Sequence, residues 1–99
     1  MTTRSWELRK GNTPLGVLSL VEIDQPWFRC VFTPGEGWEK VGHLFEAQAE
    51  AVDSGDQHGM MQAIGAVRGL ALELRSQETD ETIIPIMLQI RGDRANFRY

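Results

Sequence analysis

Apolar and polar residues alternate from residue 3 to residue 10, with Trp6 and Leu8 on one face and Arg4, Glu7 and Arg9 around them, and Gly11-Asn12-Thr13-Pro14 follows as a turn. A period of two predicts a strand. In residues 15–23, Leu15, Val17, Val21 and Ile23 share one parity and Leu18 and Leu20 the other, which predicts a strand covered on both faces. Asp24-Gln25-Pro26 reads as a turn, and residues 27–32 set Trp27, Arg29 and Val31 against Phe28, Cys30 and Phe32. Three successive antiparallel strands are the economical reading.

The period changes at Thr33-Pro34-Gly35-Glu36, where Thr followed by Glu three residues later is a capping-box pattern. The helix it announces would bury Trp38, Val41, Phe45, Ala49 and Val52 and expose Glu39, His43, Glu46 and Glu50. Gly55 suits a left-handed stop and Asp56 the next N-cap. Residues 56–77 then form the longest helical pattern, with Met60, Ile64, Val67, Ala71 and Leu74 in one stripe and Met61, Gly65 and Leu72 in a second apolar line. Such a helix would be covered from more than one side. Ala47 and Ala51 on the first helix, and Gly65 and Gly69 on the second, would let the two approach closely as an antiparallel hairpin. Each glycine costs about 1 kcal/mol in a helix, so packing is the expected compensation.

Residues 77–82 are polar, and residues 83–91 return to strand, with Ile84, Ile86, Leu88 and Ile90 on one face, Ile83, Pro85, Met87 and Gln89 on the other, and Pro85 arguing for an edge. Gly92-Asp93 reads as a two-residue turn into a last strand over residues 95–99, with Phe97 facing opposite to Arg98. The predicted order is βββααββ. Residues 1–99 are thus expected to form one α+β domain, a two-layer sandwich of an antiparallel sheet with a helical hairpin on one face.

The spacing of Trp6-x-Leu8, Gly16-x-Leu18, Asp24-Gln25-Pro26-Trp27, Phe32-Thr33-Pro34, Leu44-Phe45 and the ending Gly92-Asp93-Arg94-Ala95-Asn96-Phe97-Arg98-Tyr99 resembles a family of short hypothetical proteins common in actinobacteria. The likeness covers nearly the whole chain. Its motifs are turns and core aromatics, and it implies no activity, cofactor or functional residue.

Composition narrows the classes. The chain is 41% hydrophobic and 24% charged, with no run near the roughly 18 apolar residues that span a bilayer. The start, Met1-Thr2-Thr3-Arg4-Ser5-Trp6-Glu7, has no signal-peptide core, so a cytoplasmic protein is expected. Cys30 is the single cysteine, which excludes an internal disulfide and agrees with a reducing compartment. The net charge of −4 is uneven: residues 36–82 carry ten acids and three bases, the flanks seven bases and four acids. An acidic middle is no attractor of nucleic acid or anionic membrane.

Candidate chemistry is sparse. His43, Glu46 and Glu50 share one side of the first predicted helix with Asp53, Asp56 and His58 close behind, but one helix face needs a second element to hold a metal. A solvated acidic face is the reading taken, with no metal or cofactor. Cys30 shares the parity of Phe28 and Phe32 and is expected in the core, inert. The three tryptophans with Phe97 and Tyr99, beside Arg4, Arg9, Lys10, Arg29, Arg91, Arg94 and Arg98, have the composition of a single-strand platform, yet no nucleic-acid module signature accompanies them. Phosphate-loop, nucleophile-elbow and zinc motifs are absent.

The leading reading is therefore a homodimeric interaction module without catalytic activity, pairing with itself or an unknown protein through Met61, Gly65, Leu72, Val17, Val21 and Met87. One alternative is a small-molecule-binding protein or minor enzyme with an apolar pocket between sheet and helices walled by Trp38, Phe45 and Met61. Another is an adaptor or inhibitor offering the acidic face Glu39, Glu46 and Glu50 to a basic partner.

Overall fold

Alternation governs the first three strands of the computed structural model, which describes residues 4–98. Thr3 and Tyr99, expected to open the first strand and end the last, lie outside the described residues. β1 (Ser5–Lys10), β2 (Thr13–Asp24) and β3 (Trp27–Pro34) form an antiparallel meander, with Trp6 opposite Leu18 and Leu18 opposite Phe32. The turn between β2 and β3 carries a cis peptide bond at Gln25-Pro26. Cross-strand partners share a face, so Trp6, Leu8, Leu18, Cys30 and Phe32 all turn inward and are buried. Gly16 lies opposite Leu8 and Pro34, and a Cβ there would meet the Phe32 ring at 2.5 Å. The ring occupies the room the missing side chain leaves.

The two apolar faces expected of residues 15–23 have a local cause. Register shifts at Leu8/Arg9 and Leu20/Glu22 leave Leu15 and Val21 as extra residues in β2. A bulge resets side-chain parity, so Leu15 is buried while Val17 is half-buried and Val21 stands in solvent.

β3 leads through a single 3-10 turn, Glu36–Lys40, into α1 (Gly42–Ser54). The Thr33 capping pattern does not open that helix, because Thr33 and Pro34 are still paired with Val17 and Gly16. Phe45 is buried, and Trp38 is wedged between it and Phe32 at ring-centroid distances of 5.0 and 4.6 Å. Gly55 ends the helix in the left-handed region at φ 72°, and α2 (Gln57–Arg68) follows.

The helix expected over residues 56–77 ends nine residues early, and β4 (Leu72–Ser76) occupies its last part. Leu70, Leu72 and Leu74 fit a period of two as well as they fit a helix, and short apolar runs do not decide between the two. The backbone decides. Ala71 adopts φ 53°, which no helix continues, and Leu72 and Leu74 then pair with Lys10 and Leu8 along the second edge of β1. Leu72, assigned from sequence to a second apolar line of the helix and a partner surface, is a core strand residue. Gly65 is no close-packing position either, since nothing outside its own helix lies within 4 Å of a Cβ built there.

The strand expected over residues 83–91 is also split. β5 (Thr82–Ile83) pairs with β4, whereas β6 (Met87–Arg91) pairs with β7 (Arg94–Arg98) through the expected Gly92-Asp93 turn. The order is βββααββββ in place of βββααββ, a mixed α+β chain with an antiparallel sheet in the order β5-β4-β1-β2-β3-β7-β6. Residues 84–86 alone join the two outermost strands and reach roughly 14 Å when extended. A flat sheet of this order would set those strands roughly 29 Å apart. The sheet must curl. Trp6 and Phe97 confirm it: three strand steps separate them, roughly 14 Å on a flat sheet, yet their ring centroids are 5.0 Å apart.

Curling leaves a seam between β5 and β6, and the helices serve the exposed β6 edge. Gln48 Nε2 donates to the Leu88 carbonyl at 2.9 Å, Arg68 Nη2 to the Ile86 carbonyl at 3.1 Å, and Arg91 pairs with Asp53 at 3.0 Å. Side-chain bonds to edge carbonyls of this kind blunt edge-to-edge pairing. Among the described residues no helix is long and apolar enough to cross a membrane.

Candidate ligand-binding site

The seam is not filled. Between α2 and residues 84–86 lies a cleft of about 380 Å³. One wall is the α2 stripe Ile64, Val67 and Arg68, set by i, i+3, i+4 spacing. The floor is Leu72 of β4 and Leu88 of β6, on either side of the seam. The rim is Ile84 and Ile86, 72% and 53% exposed, because neither belongs to a strand whose inward parity would bury it.

Gln48 completes the deep wall and is only 2% exposed. It stands where Val41, Phe45 and Val52 define a helical stripe, at the 4-3-4 spacing of an inward face. Its Nε2 is committed to Leu88, while its Oε1 is buried with no hydrogen-bond partner. The amide cannot turn round, because Oε1 against a carbonyl would set acceptor against acceptor. An orphaned buried acceptor costs about 1–3 kcal/mol, and this one belongs to a residue that borders both the cleft and a small crevice between α1 and β6.

The residues expected to form sites are dispersed. Trp38 and Phe45 are packed on each other, and neither they nor Met61 lines the cleft; Phe45 borders a small crevice between α1 and β6. Met61 is 75% exposed, one turn before Ile64 on the same side of α2. Of the expected dimer surface, Met61, Gly65 and Val21 are exposed, Val17 and Met87 half-buried, and Leu72 buried; Met87 and Leu72 line the cleft instead. Glu39 lies on the 3-10 turn and Glu46 and Glu50 on α1, all three exposed. Among the described residues no three of His, Cys, Asp and Glu come together as metal ligands do.

Cys30 is buried between Phe28 and Phe32, and burial pushes its thiol up to about 12, so it is no nucleophile near neutrality. Several of the described aromatics are drawn into the fold. Trp6 and Phe97 are interior, Phe28 stacks on Phe97 at 5.1 Å, and Arg4 covers Trp6 with its guanidinium 5.1 Å from the ring.

Two signals for the cleft were present in the sequence. Gln48 is a polar residue at an apolar stripe position, and Pro85 interrupts a run of isoleucines. Comparison of the chain with protein-family models, with curated proteins and with solved structures finds no match in any of the three, so its geometry is what speaks for the site.

Proposed function

We propose that this chain is a non-catalytic binding protein of the cytoplasm and that the seam cleft holds a small, largely apolar molecule. One observation carries the reading: an apolar cleft of about 380 Å³ lined by just two polar side chains, Gln48 and Arg68. That volume falls in the range of small-molecule sites, which combine apolar walls with a few placed polar groups. In this reading the helical hairpin is the second layer of a two-layer sandwich, laid over the β6 side of the sheet by its bonds to Leu88 and Arg91.

A thermal-shift panel of small apolar compounds, run on the wild type and on Ile64→Trp, tests it. A ligand at about ten times its Kd should raise the wild-type Tm by roughly 5–10 °C. The indole placed in the cleft should abolish the shift. A panel that moves neither protein, or moves both equally, rejects the site.

Self-association is a second reading, favoured by Val21 and Val31, 65% and 44% exposed on the outer side of β2 and β3. The solution mass across a dilution series decides it. Twice the chain mass at low micromolar concentration supports the dimer, and the chain mass throughout removes it.

A further inference from the structure

Resting on the reading of the cleft as a ligand site, we infer that its ligands are apolar monocarboxylates, with the head held by Arg68 at the rim and the hydrocarbon body against Ile64, Val67, Leu72 and Leu88. Arg68 is the one charged residue among those lining the cleft. Its Nη2 donates to the Ile86 carbonyl at 3.1 Å, which fixes the guanidinium beside the link. A guanidinium carries five donors. Arg9, Arg29 and Arg91 each have a carboxylate within 3.1 Å, whereas among the described residues none lies within ion-pair distance of Arg68. A planar cation that is positioned but not neutralised, at the mouth of an apolar cleft, selects a carboxylate by bidentate geometry.

The deep wall sets the orientation. Apart from Arg68, Gln48 is the one polar side chain lining the cleft, and it carries no charge, so a carboxylate taken inward would be buried unpaired. The head therefore stays at the rim while the chain runs inward. No Asp or Glu lines the cleft to oppose it. The negative pole at the C-terminus of α2 does act against an anion, but at an exposed position this is weaker than a direct bidentate pair.

Titration calorimetry with octanoate and with 1-octanol, matched in their chains, tests the proposal on the wild type, Arg68→Gln, Arg68→Lys and Ile64→Trp. Octanoate should bind the wild type roughly tenfold more tightly than 1-octanol. Arg68→Gln should reduce octanoate to the level of 1-octanol without changing 1-octanol, and Arg68→Lys should fall between. Ile64→Trp should weaken both. If 1-octanol binds as well as octanoate, or Arg68→Gln leaves their ratio unchanged, the carboxylate class is wrong while the cleft remains a ligand site. If octanoate binding survives Ile64→Trp, both ideas fall together. If the wild type binds neither probe, the carboxylate class falls and the compound panel decides the cleft.

Discussion

Two sides of the same curled interior are filled by different means. Where β1, β3 and β7 converge, Trp6, Phe28 and Phe97 close on one another at centroid distances of 5.0 to 6.2 Å. At the seam, Val67, Leu72 and Leu88 stop short of one another around about 380 Å³. Rings can cross a gap of three strand steps because each extends far from its backbone. Aliphatic side chains cannot cross a gap where a pairing is missing. The aromatic side should therefore carry stability and the seam should carry recognition, because a space that the chain leaves open is one a ligand can enter without displacing packed atoms.

The largest expected effect tests that division directly. Phe97→Ala removes a fully buried ring and should cost about 3–5 kcal/mol, as large-to-small changes in packed cores do. Against a total stability of roughly 5–15 kcal/mol this is most of a marginal domain. Ile84→Ser at the rim should change stability by no more than about 0.5 kcal/mol, since that side chain is already in solvent. Urea denaturation of both variants gives the comparison. Equal losses would mean that the seam is closed in solution and that Ile84 is packed there.

A smaller effect of opposite sign is expected at the junction of cleft and sheet. Ala71 lines the cleft and holds φ 53°, a left-handed conformation that costs an L-residue about 1–2 kcal/mol. Glycine adopts it freely but loses more chain entropy on folding, which takes back roughly 0.5–1 kcal/mol. Ala71→Gly should thus raise stability by up to about 1 kcal/mol. Ala71→Val, with a branched Cβ at positive φ, should lower it. A raised midpoint in the glycine variant would place a strained residue in the cleft wall, where such strain accumulates near sites.

That same junction is where sequence pattern lost its grip. The meander was legible because Trp6, Leu8, Phe28, Cys30 and Phe32 alternate without interruption and pair locally. Gly55 and Gly92, at φ 72° and 58°, mark turns where glycine was expected to mark them. Leu70, Leu72 and Leu74 could be read at either period, and what resolves them is the free edge of β1, a partner more than sixty residues away. The bulges at Leu15 and Val21 inverted parity within a strand whose existence was plain. Gln48 and Pro85 marked parts of the cleft, but its assembly lay beyond reach for the same reason. Its walls come from α2, β4 and residues 84–86, and only the sheet order brings them together.

The smallest effect sharpens the comparison from the aromatic side. Next to Trp6, the Ser5 amide donates to both carboxylate oxygens of Glu78, at 3.1 and 3.2 Å, and the Ser5 hydroxyl donates to Gln77 Oε1 at 2.6 Å. These bonds fasten β1 to the loop after β4. The Ser5 N–H, with the Ser76 hydroxyl, favours the charged carboxylate and holds Glu78 below its ordinary value of 4.5. A carboxyl whose folded value lies below its unfolded one stabilises the fold fully above the unfolded value and loses that contribution as pH falls through the folded one. Glu78→Gln should therefore be less stable than the wild type near neutrality, by an amount that shrinks as pH drops below 4.5. Glu78 is exposed, so added salt should shrink the difference as well. Urea midpoints of the two proteins across the acid range measure it. A gap that stays constant with pH would show that the glutamate acts by shape alone. Octanoate binding at neutral pH should be the same in both proteins, because the clasp belongs to the aromatic side and no part of it lines the cleft.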